Sequence, residues 1–307
     1  MSFTATGDSN RAQMRYAVET VVGTTPTGPL TNLRMTGESV NSARSTTTSA
    51  EIRSDAQISD LITTGESASG TINFEPSAGE YDPFLAAMLR GTWSSGVLVN
   101  GTARQSFTFE KGFEDTGKYY QFVGAEVVKG SFDFKTGATM TGSMDIMARH
   151  ASNSTTTVGT GTPVASQTGS VFNTVTDFQG LTINSVAATG VQELKLDINL
   201  NGREQKQIGT KDLAGVGMGF LQVTGSGTMY LQSGISAIES AYYADTAIPM
   251  TWTIAKGGKS YTFLLPAIKV SSLTVNATGV NQDVVISFNF QAILDPVSGH
   301  TIQITKV

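Results

Sequence analysis

Residues 112–118 read Gly112-Phe113-Glu114-Asp115-Thr116-Gly117-Lys118, the G-x-x-x-x-G-K spacing of a phosphate-cradling loop. As such a loop, the segment would belong to an α/β nucleotide-binding fold; as a turn, it would join two strands of an all-β one. A working loop needs Ser or Thr after the lysine to hold magnesium, and a helix whose N-terminus faces the phosphates. Here Tyr119 and Tyr120 follow Lys118, and the continuation "YYQFVGAEVV" has a strand pattern with Phe122 and Val123 in core positions. Glu114 and Asp115 would repel phosphate. The segment reads as a β-hairpin turn, and the chain is no ATPase.

Strand signals continue on both sides. In "SFDFKTGATMTGSMDIMA" (131–148), Phe132 and Phe134 alternate with Ser131 and Asp133. After the turn at "KTGA", Met140, Gly142, Met144, Ile146 and Ala148 alternate with Thr141, Ser143, Asp145 and Met147, a half-buried hairpin. "QELKLDINLN" (192–201) puts Leu194, Leu196, Ile198 and Leu200 on one face, and "VVISFNFQA" (284–292) does so with Ile286, Phe288 and Phe290. "WTIAKGGKSYTFLL" (252–265) predicts a hairpin turning at Gly257-Gly258. Only two helices are expected. "YDPFLAAMLRGTW" (81–93) offers Asp82 as cap, Pro83 in the first turn and Gly91 as stop; "SAIESAYYADTA" (236–247) is a weaker second.

Composition agrees with a β-rich, turn-rich chain. Of 307 residues, 39% are hydrophobic and only 15% charged, too apolar for disorder and too poor in charge for a coiled coil. A net charge of -5 disfavours tight nucleic-acid binding, which needs Lys and Arg to displace counterions. With no cysteine, disulfides, thiolate metal sites and Cys nucleophiles are impossible. The polar N-terminus lacks a secretory h-region and no apolar run approaches the ~20 residues that cross a bilayer, so synthesis in the cytosol and no membrane partner are expected.

Three short matches recur in order: "SGTINFE" (69–75) with "SGTMYLQ" (226–232), "QSFTFEKG" (105–112) with "KSYTFLLP" (259–266), and "GSMDIMA" (142–148) with "ISFNFQA" (286–292). They point to a tandem duplication: a first domain at 1–150, a Ser/Thr/Gly-rich linker at 151–170 and a second domain at 171–307. A long polar stretch at 41–68 interrupts the first copy. It carries Arg44, Glu51, Arg53, Asp55, Asp60 and Glu66, with Ile52, Ile58, Leu61 and Ile62 interspersed. It is either a flexible insert or an arm ordered on a neighbouring subunit, and the aliphatics favour the arm. Residues 201–220 are its shorter counterpart.

Catalytic constellations are lacking. His150 and His300 are the only histidines, with no metal-ligand spacing, and no G-x-S-x-G elbow has a histidine partner. No catalytic residue, metal or cofactor is expected, and no enzyme.

The segment "FTFEKGFEDTGKYYQFVGAEVVKGSFDFKTGATMTGSMDIMAR" (107–149) closely resembles the tail tube (major tail) proteins of long, non-contractile-tailed bacteriophages, the siphophages. So does "AEIRSDAQISDLITTGESASGTINFEPSAGEYDPFLAAMLRGTW" (50–93). The resemblance implies a mainly β fold, two tandem β-sandwich or split-barrel domains each with one flanking helix. It also implies a virion protein whose domains join edge to edge into rings, stacked into a tube that conducts the genome. The tape measure protein and tail-end proteins are implied partners, and the DNA transits without specific binding. Two copies per chain suit a trimeric ring with pseudo-sixfold symmetry, with hexameric rings left open. Asn73, Glu75, Asp133 and Asp145, with Ser287, Asn289 and Gln291 in the second copy, lie opposite the apolar strand faces. They are candidates to line a neutral-to-acidic bore, or else they face outer solvent. Arg44, Glu51, Ile52, Arg53, Asp55, Ile58, Asp60 and Leu61 are candidate contacts between stacked rings. The competing reading is a duplicated β-sandwich that recognises a host glycan or decorates a particle, which would need an exposed aromatic platform around Trp93 or Trp252.

Overall fold

The computed structural model describes residues 6–232, 236–277 and 279–307. In the first half the strands are β1 (Ala12–Val18), β2 (Thr31–Leu33), β3 (Gly37–Glu38), β4 (Asn41–Thr48) and β5 (Leu61–Phe74). After helix α1 (Asp82–Leu89) come β6 (Val97–Val99), β7 (Phe107–Phe113), β8 (Lys118–Lys135), β9 (Thr141–Ala148) and β10 (His150–Ser154). The second half holds β11 (Phe178–Ile183), β12 (Val186–Ala188), β13 (Val191–Asn199), β14 (Arg203–Gln205), β15 (Gly215–Gly217) and β16 (Gln222–Tyr230). Helix α2 (Ser236–Tyr243) is followed by β17 (Ile248–Lys256), β18 (Lys259–Asn276), β19 (Val285–Ala292) and β20 (Gln303–Lys306).

The alternating runs become strands because one face can be buried at every second residue. Phe132, Phe134, Met144, Ile146, Leu194, Leu196, Ile198, Ile286, Phe288 and Phe290 are all buried. The segment 112–118 is the turn of the β7–β8 hairpin, with Phe113 opposite Lys118. Gly257 and Gly258 both take positive φ between the paired Lys256 and Lys259, the two-residue turn that matches strand twist.

Strands β4–β5–β9–β8–β13–β16–β19–β18 form one antiparallel sheet, in that order. It is open, not closed into a barrel. The 18-residue strands β8 and β18 each leave it at their N-terminal halves to enter a second layer. There β2–β1–β7–β8–β10 makes one sheet and β12–β11–β17–β18–β20–β6 the other. A register break between Val127 and Lys129 marks the departure in β8, and one between Val270 and Ser272 marks it in β18. One core lies between the layers. Phe132 and Phe134 of the long sheet meet Phe263 and Trp252 of the second layer at ring separations of 6.1 and 6.2 Å. In the same core Phe84 of α1 meets Tyr16, Phe107 and Phe109.

Glycines opposite phenylalanines allow this close packing. A Cβ on Gly142 would lie 2.5 Å from the Phe74 ring, so no other residue fits there without displacing it.

Helix α1 departs from expectation at both ends. Pro83 sits in the first turn, but Tyr81 occupies the N-cap position without a side-chain capping bond, its hydroxyl donating instead to Arg34 O. The Asp82 carboxylate is drawn away, binding Tyr261 and Lys306. Arg90, with φ of 50°, ends the helix in place of Gly91. The second helix is shorter than the expected 236–247.

The pairing scheme of the first half recurs in the second: β1–β7–β8–β9–β5 matches β11–β17–β18–β19–β16. Of the three repeat matches in the sequence, only 142–148 with 286–292 falls on corresponding strands in step. The match of 69–75 to 226–232 lies on corresponding strands but two residues out of step, since Gly70 and Gly225 face the corresponding Ile146 and Phe290. "QSFTFEKG" is largely β7 whereas "KSYTFLLP" is β18, so that match joins strands with different neighbours. Short apolar alternations resemble one another whatever their place in a sheet, which is why the eye pairs them wrongly.

The stretch 151–170 begins as β10 and is then strapped to the first half. Buried Glu110 accepts from Thr157 Oγ1 and Val158 N, both at 2.6 Å, and Glu80 accepts from Gln167 N at 2.6 Å.

Candidate assembly surfaces

Three features of the long sheet bear on function: its polar face, its two free edges and its two long hairpin loops. On the polar face, the row Gly37–Asn73–Ser143–Ser131–Asp197–Thr224–Gln291–Lys269 starts on β3, which pairs with β5 beside β4, and crosses the seven strands from β5 to β18. Neighbouring rows hold Asp145 opposite Thr71 and Lys129, Asp133 opposite Lys195, and Asn289 opposite Ser226 and Ser272. Ser287 lies opposite Thr228 and Thr274. Thus Asn73, Asp133, Asp145, Ser287, Asn289 and Gln291 share one face. Glu75 falls one residue past β5, where Thr139 donates to it at 3.1 Å.

Carboxylates on this face stand beside lysines that the sequence reading did not single out. Lys129 faces Asp145, Lys195 faces Asp133 and lies 3.4 Å from Asp197, and Lys135 faces Glu193. The charges are balanced along these rows. The signal was present in "VVKGSFD" and "ELKLD", where the lysines hold the same alternate positions as the acids.

The free edges are β4 on one side and the Val270–Asn276 half of β18 on the other; among the described residues each pairs with a single strand. Their inner counterparts are paired on both sides. Between the halves, β8 and β13 form a seven-residue ladder from Glu193↔Lys135 to Asn199↔Lys129. By the ladders to β9 and β19, Val275 occupies the place of Phe132, Thr274 that of Ser131 and Ser272 that of Lys129. Likewise Asn41 occupies the place of Asp197 and Ala43 that of Asn199. Phe132 is 4% exposed, Val275 42%. Helix α1 lies against β8 and β13 at this joint with its last residue Leu89 buried, while Tyr243 at the end of α2 is exposed.

Residues 41–68 form a hairpin of β4 and β5 around a tip at 49–60. Arg44 pairs with Glu66 at 3.0 Å, Arg53 with Asp55 at 2.9 Å, and Ile52, Ile58 and Leu61 are exposed. Glu51 and Asp60 lie in the tip. Lys211 of the second half reaches Glu66 at 3.1 Å, and this hydrogen bond, helped by Arg44, holds the Glu66 carboxyl below its ordinary range. Elsewhere burial pushes the Glu126 carboxyl up, against the bidentate pull of Arg104 at 2.9 and 2.6 Å.

The "EKGF" motif is internal wiring. Glu110 is fully buried, and Arg15 reaches it at 3.5 Å and Glu114 at 2.5 Å. Lys111 donates to Val40 O at 2.8 Å and pairs with Glu38 at 3.2 Å, which braces the β3–β4 edge from behind. Trp252 is buried and Trp93 packs on the core with Lys306 4.3 Å over its ring, so neither provides an exposed aromatic platform. Among the described residues no group of three His, Asp or Glu side chains could hold a metal ion. No helix of the described residues is long and apolar enough to cross a membrane.

An open antiparallel sheet with unpaired edges, polar on one face and packed on the other, leaves backbone groups that a further strand can pair with, the feature of a structural β scaffold. The sequence profile of the phage tail tube protein family matches residues 9–292, and the chain belongs to that family. It is a structural component of the phage virion, part of the tail tube. None of the curated proteins compared with it matches.

Proposed function

We propose that three copies of this tandem-duplicated chain close into a pseudo-sixfold ring, and that stacked rings form a passive conduit for the phage genome. The carrying observation is the β8–β13 joint inside the chain. The free edges present the corresponding strands, so the same ladder can form between copies, with Thr274 opposite Asn41 and Ser272 opposite Ala43. Closure would pair the open backbone edges and cover Val275 and Tyr243, as Phe132 and Leu89 are covered within the chain.

Eight strands per chain give a ring of about 24; at ~4.8 Å spacing and ~40° tilt its backbone diameter is roughly 48 Å. Side chains still leave room for a duplex. With the polar face inward, Asn73, Glu75, Asp133, Asp145, Ser287, Asn289 and Gln291 line the bore beside the balancing lysines. A bore without excess positive charge gives DNA phosphates no counterion release to exploit, so the duplex slides. The tip of the 41–68 hairpin reaches the next ring, with Glu51, Ile52, Arg53 and Asp55 as its contacts. Synthesis in the host cytoplasm and docking of tape measure and tail-end proteins at the tube's ends complete the scheme.

The test uses a chain with no native thiol. Asn41→Cys with Thr274→Cys should give covalent trimers by denaturing electrophoresis and rings by negative-stain microscopy. A protein that stays monomeric at tube-forming concentration, with both thiols free, sinks the proposal.

A further inference from the structure

The loops closing the outer hairpin of each half follow one plan, yet only one of them has a seat. Residues 49–60 with the flanking ends of β4 and β5 (44–48 and 61–66) correspond to residues 200–221, which join β13 to β16. The ladder pairs Thr47↔Ile62 and Thr48↔Leu61 correspond to Arg203↔Gly217 and Glu204↔Val216. On that register Ile58 matches Leu213, Leu61 matches Val216 and Ile52 matches Ile208. Leu213 and Val216 are 3% and 0% exposed, whereas Ile58 and Leu61 are 73% and 61% exposed.

The seated loop lies on the first half of its own chain. Leu213 N donates to Arg149 O at 3.1 Å, Asp212 lies 3.0 Å from His150, and Arg104 donates to Val216 O. The corresponding positions in the second half are Ile293, Leu294 and Asp245. Leu294 is 62% exposed among the described residues. The Arg104–Glu126 pair has its counterpart in Asp245–Lys269 at 2.9 Å, with the signs exchanged.

We propose that Ile58 and Leu61 seat on the second half of the neighbouring copy in the same ring, against Leu294 and beside the Asp245–Lys269 pair. This rests on the ring proposed above, which brings the first half of one copy beside the second half of the next, as the two halves adjoin within a chain. The exchanged charges set the two seats apart: Arg104 donates to Val216 O in the seated loop, whereas Asp245 at the matching place cannot donate to Leu61 O. Ile208 stays fully exposed although its loop is seated. Ile52 at the matching position would therefore still project from a seated arm and remain available to the next ring. The arm thus serves two contacts, lateral at its base and axial at its tip.

The position of Asp212 corresponds to Gln57 and that of His150 to Leu294. Gln57→Cys with Leu294→Cys should therefore crosslink neighbouring copies, while Asp212→Cys with His150→Cys crosslinks within one chain and calibrates the geometry. Ile58→Ser with Leu61→Ser should lower the yield of the 57–294 link about tenfold or more, the effect of losing two buried aliphatic side chains. If the 41–274 link forms and the 57–294 link does not, the seat is refuted and the ring survives. If neither forms, the ring fails and the seat with it.

Discussion

The Tyr261 hydroxyl donates a 2.6 Å hydrogen bond to Asp82 Oδ1 and accepts one from Gly79 N at 2.7 Å. Lys306 reaches the other Asp82 oxygen at 2.6 Å. A strand of the second half and the last strand of the chain thereby grip the first turn of the first-half helix. The Asp82 carboxylate has been diverted from capping to joining.

Tyr261→Phe keeps the ring in the core and deletes only the hydroxyl. It leaves Gly79 N–H without that acceptor and should cost about 1–3 kcal/mol of unfolding free energy. Urea melts monitored by tryptophan fluorescence would measure it, with an unchanged slope. A loss near zero would mean that water replaces the contact and the grip contributes nothing.

Alkaline conditions should find a second weakness. Burial pushes the phenols of Tyr16, Tyr81 and Tyr261 up, Tyr16 to about 12 and the other two further. Carboxylates nearby add to it: Glu80 acts on Tyr16 and Tyr81, and Asp82 on Tyr261. In the unfolded chain these phenols ionise near pH 10. Their stabilisation is therefore complete below about pH 10 and lost as pH rises toward the folded values. The urea midpoint should fall between pH 9 and pH 11, and fall less for Tyr16→Phe. Equal falls for variant and parent would remove Tyr16 from the account.

The balanced polar face makes a charge-reversal test possible. Asp145 accepts from Thr71 Oγ1 at 2.6 Å and faces Lys129, while Asp133 faces Lys195. Asp133→Lys with Asp145→Lys would convert these rows to positive charge, at a cost of about 1 kcal/mol for each like-charge pair. Assembled tubes of this variant should retain duplex DNA at 50 mM salt and release it by 200 mM, a drop in affinity of ~10³ or more if several phosphates are contacted. Tubes of the parent should pass DNA freely at both. Retention no greater than the parent's would place this face away from the bore.

Much of the fold was legible along the chain because burial alternates with a period of two. That period named Phe132, Leu194, Ile198, Phe288 and their neighbours as core, and assigned Asn73, Asp133, Asp145, Asn289 and Gln291 to the opposite face, before any partner strand was known. It also turned the Gly112–Lys118 motif from a phosphate loop into a hairpin. Pairing is a different matter, because alternation records which way a side chain points and not which strand lies alongside. Only the tertiary structure put β13 beside β8, sent β6 of the first half to β20 of the second, and moved the second-half counterpart of Gly70 to Gly225. It also turned Glu110 and Lys111 inward, against the rule that charges stay outside, because Arg15, Thr157, Glu38 and the Val40 carbonyl converge on them from distant segments. The contrast between Leu213 and Ile58 belongs to the same class. Two similar aliphatics in similar loops are written alike, and what separates them is the surface each loop meets after the chain has folded.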